Sequence, residues 1–216
     1  MGNPNIPPVP PGLSKEAQQE RLRFDKRRKA VLDKIRSVSL SILVWGPGVT
    51  APSKRKSAKK KRVRLSARDK RKAQIEKKRS DIRQTLIELG HNAMFSEEFA
   101  DADQELSESS KELAQALAAH LIIILLEEAP SATGELHEFF RNRDLISKIY
   151  VMLPQRLNQT YTAQGPLRLI AELQNGVYWY KDNEIPNCNV LTKAVHRAEA
   201  LREYMSSTRV GARMPA

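Results

Sequence analysis

The sequence has little of what would place it in several large classes of protein. It contains one cysteine, Cys188, so it lacks a disulfide framework and suits a reducing compartment. No apolar run approaches the roughly 20 residues of a membrane span, and the first residues carry no apolar signal-peptide core. The four histidines show no metal-ligand spacing with Asp, Glu or Cys. These absences predict a cytoplasmic protein that does not enter the membrane and needs neither a metal nor a bound cofactor.

Positive charge is abundant, but it is concentrated in one segment. The formal net charge is +12, and the residues from Lys54 to Arg79 include 15 Lys or Arg against only Asp69 and Glu76. That segment alone carries a charge of +13, so the rest of the chain is close to neutral. The high charge is therefore predicted to belong to one segment and not to the fold as a whole.

Apolar runs that alternate with helical patterns predict an α/β domain. A Pro-rich arm precedes a predicted helix from Ser14 to about Arg36, and five strand-like runs follow at residues 40–45, 91–96, 121–126, 149–153 and 176–180. The intervening helices include residues 110–120, with Leu113 and Leu117 on one face. This order favours a flavodoxin-like sheet of five parallel strands, in the order 2-1-3-4-5 with helices on both faces. We expect an arm and helix over 1–38, the α/β domain over 39–206 with a basic insertion at 53–79, and a flexible tail at 207–216.

The loop after the first strand begins Gly46-Pro47-Gly48 and is followed by lysines. It is not a Walker A loop, because the second glycine and the Lys-Ser/Thr pair are missing. In sheets of the predicted order, ligands bind beyond the carboxyl ends of the strands, at the switch point between strands 1 and 3. The two glycines would let a ligand approach the backbone closely, and an ordinary strand-ending turn is the alternative interpretation.

A second candidate segment, Glu127 to Phe140, directly follows the continuously apolar strand LIIILL. It carries carboxylates at Glu135 and Glu138, in the first turns of a predicted helix at the mouth of the same crevice. Such carboxylates can hold ribose hydroxyls or stabilise an oxocarbenium-like centre while a glycosidic bond breaks. Acidic residues also occur at helix N-termini because they complement the helix dipole, which is the alternative for Glu135.

The pattern of a strand, an S-x-x-G-x-x-x-E turn and the strand KIYVMLP resembles the nucleoside 2-deoxyribosyltransferase-like and TIR-like families. The resemblance covers about residues 39–203 and implies a hydrolase that cleaves the N-glycosidic bond of NAD, a nucleotide or a nucleoside. It implies that Glu138 is the nucleophile or oxocarbenium stabiliser. Glu135 stands where those families usually have a small or hydroxyl residue, and an extra Ala-Thr precedes the glycine, so Glu135 stays the alternative reactive carboxylate. The implied substrate contacts are Gly46, Pro47, Gly48, Phe95, Ser96, Glu127, Ser131 and Gly134.

The resemblance also implies an effector in bacterial anti-phage defence that a partner triggers. The basic segment is the expected partner surface, where DNA, RNA or an acidic protein would contact Lys54, Arg55, Lys56, Lys59, Lys60, Lys61 and Arg62. No aromatic residue is interleaved for base stacking, and a solvated insertion or electrostatic steering of a nucleotide are the alternatives. We therefore expect an N-glycosidase regulated by a partner, within a homo-oligomer or a larger defence complex. The alternative is a non-catalytic nucleotide-sensing or nucleic-acid-binding module on the same fold.

Overall fold

The computed structural model describes residues 14–46, 66–99, 107–127, 142–159, 167–168, 170–171 and 175–211. The chain forms two compact units, residues 39–201 and residues 1–38 together with 202–216. The predicted N-terminal helix is present as α1 (Lys15–Arg36). It begins after Ser14, whose side-chain oxygen accepts a hydrogen bond from the Ala17 N–H at 3.3 Å and so satisfies one of the unpaired donors of the first turn.

The larger unit is organised around a sheet of five parallel strands. The strands are β1 (Ser41–Trp45), β2 (Asn92–Met94), β3 (Leu121–Leu125), β4 (Ile149–Pro154) and β5 (Val177–Tyr180). Their spatial order is β2-β1-β3-β4-β5, and every neighbouring pair is parallel. This arrangement confirms the predicted flavodoxin-like order, and it places a switch point between β1 and β3, where the direction of chain progression across the sheet reverses.

The central strands form because their sequences are continuously apolar. Every residue of β3 and β4 is buried, as are the three middle residues of β1. Successive side chains of a strand point to opposite faces, so burial of consecutive residues means that both faces of the sheet are covered. At the centre of the core, Ile123 of β3 pairs with Val44 of β1, and the next residue, Ile124, pairs with Val151 of β4.

The main helices that follow α1 in the chain differ from prediction chiefly at their ends. They are α2 (Ala67–Glu88), α3 (Glu108–Ala118), α4 (Arg143–Ile146) and α5 (Asn189–Gly211). Because α2 starts at Ala67, residues 67–79 of the predicted basic insertion form the first half of a helix with Ile75, Ile82 and Leu86 buried along one side. Helix α5 continues to Gly211, past the predicted boundary at 206. In α3, Leu113 and Leu117 are about 40% exposed, whereas Ala116 is buried.

Two histidines tie the strands together at the amino edge of the sheet. His91 and His120 immediately precede β2 and β3, the two neighbours of β1. The Nδ1 atom of His91 accepts from the Leu40 N–H at 3.3 Å, and that of His120 accepts from the Ser41 N–H at 2.9 Å. Each imidazole therefore satisfies a backbone donor where β1 begins, and it links β1 to the start of a neighbouring strand.

Candidate functional site

The candidate site lies at the opposite edge of the sheet, where the carboxyl ends of all five strands meet. The described residues there include Gly46 after β1, Phe95 and Ser96 after β2, Glu127 after β3, and the residues that follow β4 and β5. Open parallel sheets bind their ligands at this edge, because the strand-to-helix loops converge there. Two groups of charged side chains occupy it, one beside β1 and β2 and the other beyond β3, β4 and β5.

The first group is centred on Arg79, a fully buried side chain of α2. Its Nε and Nη2 atoms donate to the Val44 carbonyl at 2.9 and 2.8 Å, near the end of β1. Its Nη1 and Nη2 atoms donate to the two carboxylate oxygens of Glu97 at 2.7 and 2.6 Å. Glu97 belongs to the short 3-10 turn Ser96–Phe99, so Arg79 joins the end of β1 to the segment that follows β2. A bidentate guanidinium–carboxylate pair fixes both distance and orientation.

Gly46 and Phe95, both predicted substrate contacts, lie against Arg79. A Cβ atom on Gly46 would stand 2.7 Å from the Leu125 carbonyl oxygen and 3.3 Å from Cδ of Arg79. The close approach that requires glycine here is therefore made by the protein's own chain, which supplies a structural reason for that residue. The Phe95 ring packs against two guanidinium groups, with the Cζ atoms of Arg79 and Arg83 at 4.5 and 4.9 Å from its centroid.

The second group is a ring of four ion-paired side chains, which we call the charge quartet: Arg71, Glu127, Arg156 and Asp182. Arg71 extends from the second turn of α2 and contacts both Glu127 Oε1 and Asp182 Oδ1. Arg156, just beyond β4, donates to the same two oxygens at 2.9 Å each. It also donates to the Glu127 backbone carbonyl at 2.9 Å. The quartet is electrically neutral, and it brings together residues that follow three different strands.

Glu127 is the most enclosed member of the quartet, with its side chain 12% exposed. Both arginines contact its Oε1 atom, whereas its Oε2 atom is buried and has no hydrogen-bond partner among the described residues. A buried carboxylate oxygen without a donor is costly, and native structures rarely leave one unless a water, an ion or a ligand serves it. Glu127 therefore offers one acceptor to a bound hydroxyl or N–H group.

Two tyrosines of β5 flank this edge. The Tyr180 hydroxyl donates to the Leu126 carbonyl, and burial, followed by the nearby Glu127 carboxylate, raises the pKa of Tyr180 strongly. Burial, together with a hydrogen bond of 2.8 Å to Glu184, raises the pKa of Tyr178 to about 12. Both phenols therefore stay protonated at neutral pH, and they act as hydrogen-bond donors and not as general bases.

An open cavity of about 290 Å³ adjoins the quartet, lined by Gln155, Arg156, Tyr180, Lys181 and Asp182. It lies beyond the carboxyl ends of β4 and β5, because Gln155 follows Pro154 and Lys181 follows Tyr180. Arg156 and Asp182 thus belong both to the quartet and to the wall of this cavity.

The other predicted site residues lie outside the described residues. These are Pro47, Gly48, Ser131, Gly134, Glu135 and Glu138, and the basic residues Lys54, Arg55, Lys56, Lys59, Lys60, Lys61 and Arg62. The side chain of Ser96 is also outside the described part, although its backbone is in the 3-10 turn. The roles assigned to these residues stay predictions.

Sequence reasoning missed four charged residues of the site: Arg71, Arg79, Arg156 and Asp182. Arg156 and Asp182 carried a usable signal, because each is a charged residue within two positions of a strand's carboxyl end. Arg71 and Arg79 had none, since they belong to a run of cations that composition cannot sort into buried and solvated members. Their inward placement also means that part of the basic segment's charge is used within the protein.

The geometry defines a class before any relative is considered: a doubly wound α/β protein of flavodoxin-like order, with a polar site at the carboxyl edge of its sheet. A family model described as STM3845 retron effector protein matches residues 64–212, more than half of the chain, and the chain belongs to that family. The matched residues include the quartet, together with Glu135 and Glu138. No curated protein matches the chain. Among the described residues, no helix has the length and apolarity needed to cross a membrane.

Proposed function

We propose that this protein is an effector in bacterial anti-phage defence that cleaves the N-glycosidic bond of NAD or another nucleotide. The chain's membership in a retron effector family supports the effector role. The observation that carries the chemical part is Glu127, an enclosed carboxylate at the carboxyl end of the central strand with one buried oxygen lacking a partner. That oxygen suits a ribose hydroxyl, and residues of this type at a switch point commonly bind the sugar of a nucleotide.

In the proposed hydrolysis, Glu127 orients the ribose, and a second carboxylate acts at the anomeric carbon while its bond to the base breaks. Water from the solvent then adds to that carbon, and its proton balances the departing base. Glu138 is the proposed nucleophile or stabiliser of the oxocarbenium-like transition state, with Glu135 as the alternative. The charge quartet contributes orientation, because two arginines hold Glu127 and leave its second oxygen to the ligand. A carboxylate held in place before the reaction stabilises developing positive charge without reorganising.

The test is release of the base from candidate substrates by the full chain. Purified protein is incubated with NAD, nucleoside monophosphates and free nucleosides, with and without nucleic acid, and free base is measured by chromatography. Glu138→Gln should abolish release if Glu138 is the reactive carboxylate, and Glu135→Gln should do so if the alternative holds. Glu88→Gln is the control, because Glu88 ends α2 at the amino side of β2 and is bonded to Gln84.

Retention of full activity by both Glu138→Gln and Glu135→Gln would refute the catalytic assignment, as would the lack of base release under every condition. Nucleic-acid binding without turnover, which weakens with salt and is lost when Lys59, Lys60 and Lys61 are neutralised, would favour the non-catalytic module instead. The proposed partner is a nucleic acid or an acidic protein of a retron defence complex, contacting the basic residues between Lys54 and Arg62.

A further inference from the structure

The charge quartet places two arginines around one carboxylate oxygen that faces an open cavity. Two guanidinium groups converge on a single oxygen atom, Oδ1 of Asp182. They belong to Arg71 of α2 and to Arg156, two residues after the end of β4. One carboxylate oxygen that receives two cations leaves most of the ten N–H donors of the two arginines unused by Asp182. A group with more oxygen atoms at the same place would use more of those donors.

The two carboxylates of the quartet are unequal. The Glu127 side chain is enclosed, and the Glu127 backbone carbonyl also accepts a hydrogen bond from Arg156. Glu127 is therefore the fixed carboxylate of the two. The Asp182 side chain is 57% exposed and lies in a short 3-10 turn, Asp182–Glu184. Water screens the ion pairs of so exposed a carboxylate, so we expect Asp182 to leave the arginines more readily than the enclosed Glu127 does. Asp182 is thus the exchangeable member of the quartet.

A cavity that could hold an anion in place of the Asp182 carboxylate lies beside Asp182. Asp182 and Arg156 line the cavity of about 290 Å³, and Lys181 adds a third cation to its wall. With Asp182 turned away, Arg156 and Lys181 would present two positive charges to this cavity, and Arg71 would lie next to the position that Asp182 leaves. Arginine favours phosphate because its planar fork of donors matches phosphoryl oxygens in pairs.

We propose that Arg71 and Arg156 bind the phosphoryl group of a sugar phosphate, and that Asp182 occupies its position in the free protein. The proposal rests on the proposed function in one respect: the sugar phosphate is taken to be part of the nucleotide substrate. The ribose attached to the phosphoryl group would lie toward Glu127, whose second oxygen accepts a hydroxyl. The protein would therefore prefer phosphorylated nucleotides to free nucleosides.

The experiment measures binding and does not depend on turnover. The full chain is titrated calorimetrically with ribose 5-phosphate, ribose and inorganic phosphate at one fixed ionic strength, because salt screens exposed charges. Ribose 5-phosphate and phosphate should bind, and ribose should not. Tighter binding of ribose 5-phosphate would show that the sugar is also recognised, whereas equal affinities would show that the phosphoryl group alone is recognised. Ribose binding as tight as that of ribose 5-phosphate would overturn the proposal.

Four variants sharpen the result. Asp182→Asn removes the competing anion and should tighten ribose 5-phosphate binding by about two- to tenfold. Arg156→Gln should weaken it roughly tenfold or more. Arg143→Gln makes the same charge change at an exposed arginine in α4, which leads into the amino end of β4, and should leave the affinity unchanged. Arg156→Lys, which keeps the charge but not the fork, should weaken binding by an intermediate factor, and it replaces Arg156→Gln if that variant does not fold.

Weaker or unchanged binding by Asp182→Asn would contradict the exchange, and equal effects of the Arg156 and Arg143 variants would contradict the site. These outcomes are independent of the proposed reaction. A protein that binds ribose 5-phosphate as described but never releases a base would refute the N-glycosidase function and leave the phosphoryl site standing.

Discussion

Adjacent glutamates in the turn after β2 allow one substitution to be compared in two settings, Glu97→Gln and Glu98→Gln. Glu97 receives two hydrogen bonds from Arg79, whose side chain is fully buried. Glu98 pairs at 2.8 Å with Arg83, whose side chain is 31% exposed. The two variants make the same chemical change one residue apart. Glu97 pairs with a fully buried arginine, whereas Glu98 pairs with a partly exposed arginine and also accepts from the Phe95 N–H at 3.2 Å.

The expected magnitude for Glu97→Gln follows from what glutamine can still do. Its amide oxygen keeps one acceptor for Arg79, so the variant loses one of two hydrogen bonds and the counter-charge of a buried guanidinium. A hydrogen bond to a charged group contributes about 1.5–3 kcal/mol. Glu97 itself is 44% exposed, so water replaces part of the loss. We expect a decrease of about 2 kcal/mol in the free energy of unfolding, against less than about 1 kcal/mol for Glu98→Gln.

Urea denaturation of both variants and the parent chain provides the measurement, with the thermal midpoint as a second readout. For a chain of this size, about 2 kcal/mol corresponds to a decrease of roughly 4–8 °C in Tm. The effect of Glu98→Gln should shrink further at high salt, whereas that of Glu97→Gln should persist, because buried pairs are screened less. Equal losses of stability in the two variants would refute the argument that Arg79 depends on Glu97 for its charge balance.

Two further predictions concern the same edge of the sheet. Gly46→Ala would bring a Cβ atom within 2.7 Å of the Leu125 carbonyl oxygen, and it should lower the free energy of unfolding by about 1–3 kcal/mol in urea titrations; unchanged stability would contradict the close approach. The pKa of Tyr178 is raised from 10.0 to about 12, so the unfolded chain loses this proton first and stability should fall as pH rises from 10 to 12. Tyr178→Phe should make that part of the stability profile less steep, while Tyr180, whose pKa is also raised, keeps contributing to it. A profile as steep as that of the parent chain would refute the assignment.

The order of the sheet could be predicted because each strand can be recognised from its own short stretch of sequence. Short, continuously apolar runs such as LIIILL are typical of a strand covered on both faces, and the helices between them favour parallel pairing. Single turns also have local causes: the Ser14 side chain caps the start of α1, and Gly90, with a φ of 86°, follows the end of α2. Each of these features depends on residues that are neighbours in the chain.

The candidate site was predicted less completely. Glu127 was identified because it directly follows the central strand. Its two ion-pair partners, however, are Arg71 of α2 and Arg156, which follows β4. Gly46 was identified for its conformational freedom, but the atoms that require it belong to Leu125 and Arg79, which are distant in sequence. Contacts of this kind depend on how the strands are placed side by side, and no local pattern contains them.

The sequence by itself thus determined the architecture, through apolar runs whose burial is favourable whatever surrounds them. Only the tertiary structure decided which charged side chains are buried, which are ion-paired and which stay exposed. Within one segment that contains 15 basic residues, it buries Arg79 between β1 and the turn after β2 and places Arg71 against Glu127, while Lys70 and Lys72 stay exposed. The physical reason is that a charge is stable inside only where a counter-charge and acceptors are already in place, and those partners come from other strands.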